Sequence, residues 1–414
     1  MFKSLVLENF KAFGGRTHVP VAPITLIFGP NSSGKSSLLQ SMLLLKQTLV
    51  EQSDTNRLLI TRGRLTDLGG FRDFVFEHDS SRLCEIALLM DDSDMPATDP
   101  LRIIMDPAGG SEMGFGIRFF LDEDGRTIQL SDLPIYRNDI REPFLTLGSR
   151  SQDSTPLASA LTGTDSASVG SPRVHAGHPF WDEYYQATRE QRQDYLAHLI
   201  ERLREEGAMS SQESSRLSDH ARRLSDYSLE LFVEDVEAVG NDEALLLRSF
   251  LPYDKARLAS RFGSSASLAG TALPSEGMWR PNPFDWAVAL GTRAKARWDR
   301  VTYLGPLREY PSRYYIATGN PASTVGKAGE NLPEILSSRP DLLERVNQYL
   351  STFGIGYSLN VDHSRGGQTD DVFRLVLADN DSGVEMNLVE VGFGISQVLP
   401  IIVQGPCCHK KAPS

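Results

Sequence analysis

The stretch Ile24-Thr-Leu-Ile-Phe-Gly-Pro-Asn-Ser-Ser-Gly-Lys-Ser-Ser37 limits what this chain can fold into more than any other. Gly29, four residues, Gly34, Lys35 and Ser36 fit the G-x-x-x-x-G-K-[ST] spacing of a phosphate-binding loop. Gly29 and Gly34 free the backbone for positive φ and for close approach to a ligand. Past Pro30, which has no N–H of its own, the successive N–H groups of Asn31, Ser32, Ser33 and Gly34 then make an anion nest, with the positive end of a helix behind it. Lys35 reaches β- and γ-phosphates, and Ser36, followed by Ser37, offers Mg²⁺ a hydroxyl ligand. Ile24, Leu26, Ile27 and Phe28 predict a buried strand entering the loop. Leu38, Leu39, Met42, Leu45 and Leu49 recur at helical spacing and predict a helix leaving it.

At 414 residues the chain has room for two or three domains, or for one domain with a large insertion. No apolar run approaches the length needed to span a bilayer. Met1 leads straight into a strand-like pattern, so no signal peptide is expected. Cys84, Cys407 and Cys408 make no disulfide framework, which points to a reducing cytoplasm. A net charge of −12 argues against a protein that coats nucleic acid all over, but leaves room for a local basic groove.

Phe2 to Phe13 mixes apolar and polar residues as an edge strand does. This strand ends in Asn9-Phe10-Lys11-Ala-Phe13 and is followed within twenty residues by Gly-Pro-Asn-x-x-Gly-Lys-Ser. The pair resembles the ATPase heads of the RecF, SMC and OLD-type ABC ATPases, including AAA-type bacterial ATPases of genome maintenance and anti-phage defence. The resemblance implies an α/β P-loop NTPase: an ABC-type head with a mixed sheet, an antiparallel β lobe and an inserted helical subdomain. It implies ATP and Mg²⁺ as cofactors, with Asn9 and Lys11 near adenine and ribose. It also implies a homodimer of heads, with DNA or an effector nuclease as further partner and no membrane.

Further along, Arg62, Arg64 and Arg72 among Gly63, Gly69 and Gly70 are read as solvated surface, with contact to phosphate or DNA as the alternative. The runs Cys84–Asp92, Leu101–Asp106, Phe115–Leu121 and Thr127–Leu130 predict antiparallel sheet, with a hairpin at Asp124-Gly125. Residues 148–180 read as a flexible loop. Trp181–Gly207 and Ser211–Val239 read as a helical hairpin, either a docking arm or a packed subdomain. A second loose stretch covers 263–283. Phe284–Trp298 then reads as a helix whose Arg293, Lys295, Arg297 and Arg300 are a solvated face or a contact for a phosphate backbone. By resemblance, Val301–Glu309 with its Gly-Pro-x-Arg turn and the Gly326–Asn331 loop belong to the same ATPase core. Pro340–Phe353 is a helix that Gly354 stops. Asp379–Gly383 turns a last hairpin.

Glu390-Val-Gly-Phe-Gly-Ile-Ser-Gln-Val-Leu-Pro400 resembles the signature that meets the γ-phosphate held by a second subunit. Gly392, Gly394, Ser396 and Gln397 occupy it, with Ser396 placed later than in the widespread Leu-Ser-Gly-Gly-Gln form. Lys35 and Ser396 are the catalytic candidates. Heads of this kind continue into a strand ending in Asp-Glu and a later switch His. Here Val403 is followed by Gln-Gly-Pro-Cys-Cys-His-Lys-Lys-Ala-Pro-Ser, an abrupt end read as truncation. A rival reading makes Ile86–Asp92 the acidic strand of an AAA+-type ATPase with Asp91 on Mg²⁺. Others are a nucleotide-binding scaffold without turnover and, less well fitting, a P-loop kinase. The expected division is an N-lobe at 1–147, an insertion at 148–300 and a C-lobe at 301–414.

Overall fold

The computed structural model describes residues 1–50, 58–91, 112–149, 169–175, 177–187, 283–319, 322–363 and 371–407. The run at 101–106, the helical pattern from 188 to 239 and the loose stretch up to 282 lie outside them. The chain divides into two compact units, Met1–Trp298 and Asp299–Ser414. Among the described residues no helix is long and apolar enough to cross a membrane.

Unit 1 is built on a seven-stranded sheet in the order β2-β1-β3-β4-β5-β6-β7, with every pairing antiparallel. The strands are β1 (Phe2–Glu8), β2 (Thr17–Pro20), β3 (Cys84–Met90), β4 (Met113–Leu121), β5 (Ile128–Arg137), β6 (Leu145–Ser149) and β7 (Val169–Val174). This is the antiparallel lobe of the expected α/β class. The Asp124-Gly125 turn joins β4 to β5 as expected. The Asp124 carboxylate caps the Arg126 and Thr127 amides, and Gly125 sits at φ 68°.

Two expectations about strands need correcting. β1 is not an edge: it lies between β2 and β3 with Leu5, Val6 and Leu7 buried. The 148–180 stretch is not all loop, because Val169–Val174 pairs with β6, and the helix α3 (Pro179–Ala187) follows. Backbone pairing there needs no apolar run, so composition hid it.

Charge is enclosed on this sheet. The Glu85 side chain is only 4% exposed and pairs with Arg16 at 3.0 Å and Arg118 at 3.1 Å. The Tyr136 hydroxyl donates to it at 2.6 Å. Burial alone would raise this carboxyl. The hydrogen bonds from Arg16 and Tyr136 and the Arg118 charge outweigh burial and hold it below the ordinary carboxylate range.

A second knot closes the end of β3. Asp91 pairs with the Met1 amine, with Lys3 at 3.4 Å and with Arg297 at 3.3 Å. Its carbonyl accepts from Arg293 at 2.9 Å and Arg297 at 2.6 Å. Both arginines come from the helix α4 (Pro283–Arg300), whose Trp298 packs on Phe2 with ring centroids 4.6 Å apart. The basic face expected to meet solvent or a phosphate backbone is therefore partly internal. Arg297 is buried and Arg293 half-buried, because the Asp91 carboxylate and the Met1 and Asp91 carbonyls at the sheet end draw them in.

Unit 2 has β10 (Val372–Asp379) at its centre, flanked by β9 (Tyr357–Asp362) and β11 (Glu385–Asn387), with β8 (Tyr315–Ile316) pairing its first residues. The helices α5 (Leu332–Ser338), α6 (Pro340–Thr352) and α7 (Phe393–Cys407) complete it. Leu342, Val346 and Leu350 of α6 share a core with Leu359, Leu375, Leu377, Leu399 and Val403. The expected Asp379–Gly383 hairpin is present, with the Asp379 carboxylate accepting from the Asp381 and Ser382 amides.

Glu85→Gln keeps the shape of the side chain but removes the buried charge that Arg16 and Arg118 share, leaving Arg118 with Asp132 at 3.3 Å. It is expected to cost about 3 kcal/mol in urea unfolding at neutral pH. The carboxylate's contribution is fully present above the usual Glu value and is lost as pH falls through its depressed folded-state value. The stability of the parent should therefore fall more steeply with acid than that of the variant.

Candidate functional site

The segment that enters the phosphate loop departs from expectation. Ile24–Phe28 pairs with no strand among the described residues, and Ile24, Leu26 and Phe28 are 82%, 71% and 83% exposed. An apolar run predicts burial only where a neighbouring strand supplies the other half of the ladder. The helix that leaves the loop is α1 (Lys35–Val50), as predicted, with Leu38, Leu44, Leu45 and Leu49 buried.

Between them the loop is shaped for an anion. Ser32 at φ 64° and Gly34 at φ 90° turn the backbone through the left-handed region. Such alternation points successive N–H groups toward one centre. Asn31, Ser32, Ser33 and Ser36 are exposed, whereas Ser37 is buried. The Lys35 ammonium donates to the carbonyls of Gly29 at 2.8 Å and Pro30 at 2.6 Å. It thus lies across the loop on carbonyls that a phosphate oxygen would outcompete. The Ser36 hydroxyl, exposed one residue into α1, suits Mg²⁺ carried in with a triphosphate. Among the described residues no group of three or more His, Cys, Asp or Glu side chains is placed to hold a metal ion.

Gly34 leans on the turn Asn9–Phe13. A Cβ at Gly34 would stand 3.2 Å from both Ala12 Cβ and Phe13 Cζ. The structure thus brings together the two segments that the sequence singled out. The turn is held by paired Phe10 and Phe13 backbone bonds at 2.9 Å and by the Lys11 amide donating to the Phe74 carbonyl at 2.7 Å. Asn9 and Lys11 have φ values of 52° and 50°, rare for residues with a Cβ. The Asn9 side chain donates to the Leu83 carbonyl at 2.8 Å and accepts from Arg82 at 3.3 Å, so it fastens the turn. Burial pulls the Lys11 ammonium below its ordinary value, with Asp73 opposing. The Cys84 thiol, pushed up to about 12 by burial, donates to the Asn9 carbonyl.

The glycine-rich segment at 58–70 is fastened to α1 by Gln47. Its amide donates to the Ile60 and Thr66 carbonyls and accepts from the Thr66 amide. Arg62, Arg64 and Arg72 are exposed.

In unit 2, Gly392 and Gly394 are exposed at the start of α7, while Ser396 is 8% exposed and Gln397 half-buried. Glu390 is fixed by Arg313 at 2.7 Å and by the Asn387 amide at 3.1 Å. The Gly-Pro-x-Arg turn and the glycine loop after it meet: Gly305 N donates to Lys327 O, and Glu309 N to Ala328 O, both at 2.8 Å.

Residues 4–92 match the family model of an AAA domain. The matched segment runs from β1 through the phosphate loop and α1 to the end of β3. The chain is also 48% identical over 42 residues to a chromosome partition protein Smc from a Synechococcus species. That match spans 10% of this chain and 4% of the curated relative. Among solved structures, the Smc head domain of Pyrococcus furiosus, bound to the C-terminal domain of ScpA, aligns over 98% of this chain and 78% of its own. It does so at 12% identity and a TM-score of 0.33. The Pyrococcus yayanosii Smc head aligns over 98% and 83%, at 12% identity and 0.29. The segment matched by the AAA-domain model contains both the phosphate loop and the Asn9–Phe13 turn.

The AAA+-type alternative does not fit. Asp91 is neutralised by three cations, and β3 lies in the antiparallel sheet.

Gly34→Ala places a methyl group against Ala12 and Phe13 at a φ that L-residues avoid. It is expected to lower stability in urea by roughly 1–3 kcal/mol. Gly15→Ala, where an added Cβ meets nothing within 4 Å, should change little.

Proposed function

We propose that this chain binds MgATP and works as an ABC-type ATPase head of the RecF/SMC/OLD-like group. The observation that carries the reading is the loop at 29–36: left-handed backbone at Ser32 and Gly34, a helix starting at Lys35, and the Lys35 ammonium resting on displaceable carbonyls. In this reading the loop amides and Lys35 take the phosphates, and Ser36 ligates Mg²⁺. Asn9 and Lys11 hold the base-side wall. The metal, when bound, neutralises charge that develops on the transferred phosphoryl group. A second copy presents Gly394, Ser396 and Gln397, so that two heads close on ATP and open after hydrolysis. The cycle switches DNA or an effector nuclease in DNA repair or anti-phage defence, in the cytoplasm. That last part rests on the family resemblance, as does an inserted domain at 148–300.

A second reading is binding without turnover. This reading keeps the loop amides and Lys35 as the grip on the nucleotide and drops the hydrolysis step.

Labelled ATP and free phosphate should be followed together with the full chain. The proposal expects saturable MgATP binding that Lys35→Ala weakens roughly 10- to 100-fold, in line with loss of a charge-assisted hydrogen bond. Steady phosphate release that Lys35→Ala abolishes supports the ATPase. Binding without release supports the second reading, and no saturable binding overturns both.

A further inference from the structure

The turn beside the phosphate loop is costly to hold. Asn9 and Lys11 are left-handed, and across from them Glu77 and His78 are left-handed in succession, at φ 57° each. Non-glycine residues stay in that region only when their surroundings fix them. The two segments clasp each other through Lys11 N to Phe74 O at 2.7 Å and Phe76 N to Asn9 O at 3.0 Å. Below them Phe10, Phe71, Phe74 and Phe119 form a buried aromatic cluster.

One side chain reaches every free end of this clasp. Arg82 donates to Glu77 at 2.7 Å, to Asp79 at 3.1 Å and to Asn9 Oδ1 at 3.3 Å. Its guanidinium lies over the Phe76 ring, 5.2 Å from the centroid. That ring fills the space above Gly14, where an added Cβ would come within 2.5 Å of it. Arg82 therefore fixes Asn9 at one end of the turn and, through Phe76, Gly14 at the other. Between those ends stand Ala12 and Phe13, on which Gly34 rests.

The geometry points to Arg82 as a positioning residue for the phosphate loop, acting through the Asn9–Gly14 turn and never touching nucleotide itself. This rests on the reading of residues 29–36 as a triphosphate site. The Arg82 side chain is 34% exposed and its acidic partners are 62% and 43% exposed. Exposed pairs of this kind add little to global stability. Its removal should therefore loosen the turn without unfolding the unit.

The test is binding of MgATP and of inorganic tripolyphosphate to the full chain, in the parent, Arg82→Ala, Arg82→Lys and Lys35→Ala. Arg82→Ala is expected to weaken both ligands in parallel by about tenfold. The ligand-free thermal midpoint should stay put, and Arg82→Lys should recover part of the loss. If Arg82→Ala does not fold, Arg82→Lys carries the comparison, with a smaller parallel loss expected. Parent-like affinity in the Arg82 variants while Lys35→Ala loses binding overturns the positioning role and leaves the nucleotide site standing. Loss for ATP alone also overturns it, since the route runs through the phosphate loop. Tight binding in Lys35→Ala as well overturns the nucleotide reading underneath.

Discussion

The close approach of Gly34 to the Ala12–Phe13 turn ties the phosphate loop to the sheet of unit 1. A phosphate loop carries little shape of its own: six residues, mostly small and polar, with half of their turning done in sparsely populated backbone. It holds an anion-ready curve only against a rigid wall. Here the wall is a strained turn, and the strain is tolerated because backbone bonds and an aromatic cluster fix the turn from below. The sheet supplies the rigidity, since β1 delivers the turn and β3 closes behind it.

Charge does structural work at both ends of β3. At one end Glu85 is enclosed with two arginines and a tyrosine, and at the other Asp91 gathers the N-terminal amine, Lys3 and Arg297. Breaking either knot would leave a partly buried charge without its partner, which costs far more than an exposed pair returns. This arrangement also accounts for the direction of the α4 arginines. A basic helix face reads as solvated unless an acidic group and main-chain carbonyls lie beneath it, as Asp91 and Met1 do here.

Local rules were the most legible part of the fold. Asp124-Gly125 and Asp379–Gly383 announce their turns because a carboxylate that caps its own loop acts over three residues. The α6 face and the existence of α1 follow from helical spacing, but the predicted α1 face does not hold, since Leu39 is exposed and Leu43, Leu44 and Gln47 are buried. The loop at 29–36 follows from the positions of two glycines and a lysine. What the sequence hid is non-local. β1 reads as an edge because polar residues alternate along it, yet β2 covers its outer side. β7 carries Gly, Ser and Pro and still pairs. Ile24–Phe28 reads as buried, but burial needs a partner strand, and none of the described residues provides one. Asn9 stands out in the sequence by its place in Asn-Phe-Lys. That its side chain fastens the turn to Leu83 and Arg82 depends on residues more than seventy positions away.

These threads meet in one claim: main-chain amides of the loop, backed by the turn, grip a triphosphate. Amide hydrogen exchange read by mass spectrometry, on the full chain with and without MgATP, examines that grip at the atoms concerned. The account predicts slowed exchange across residues 29–37 and across the supporting turn at 9–14. Saturable ATP binding with unchanged exchange in both segments would contradict it.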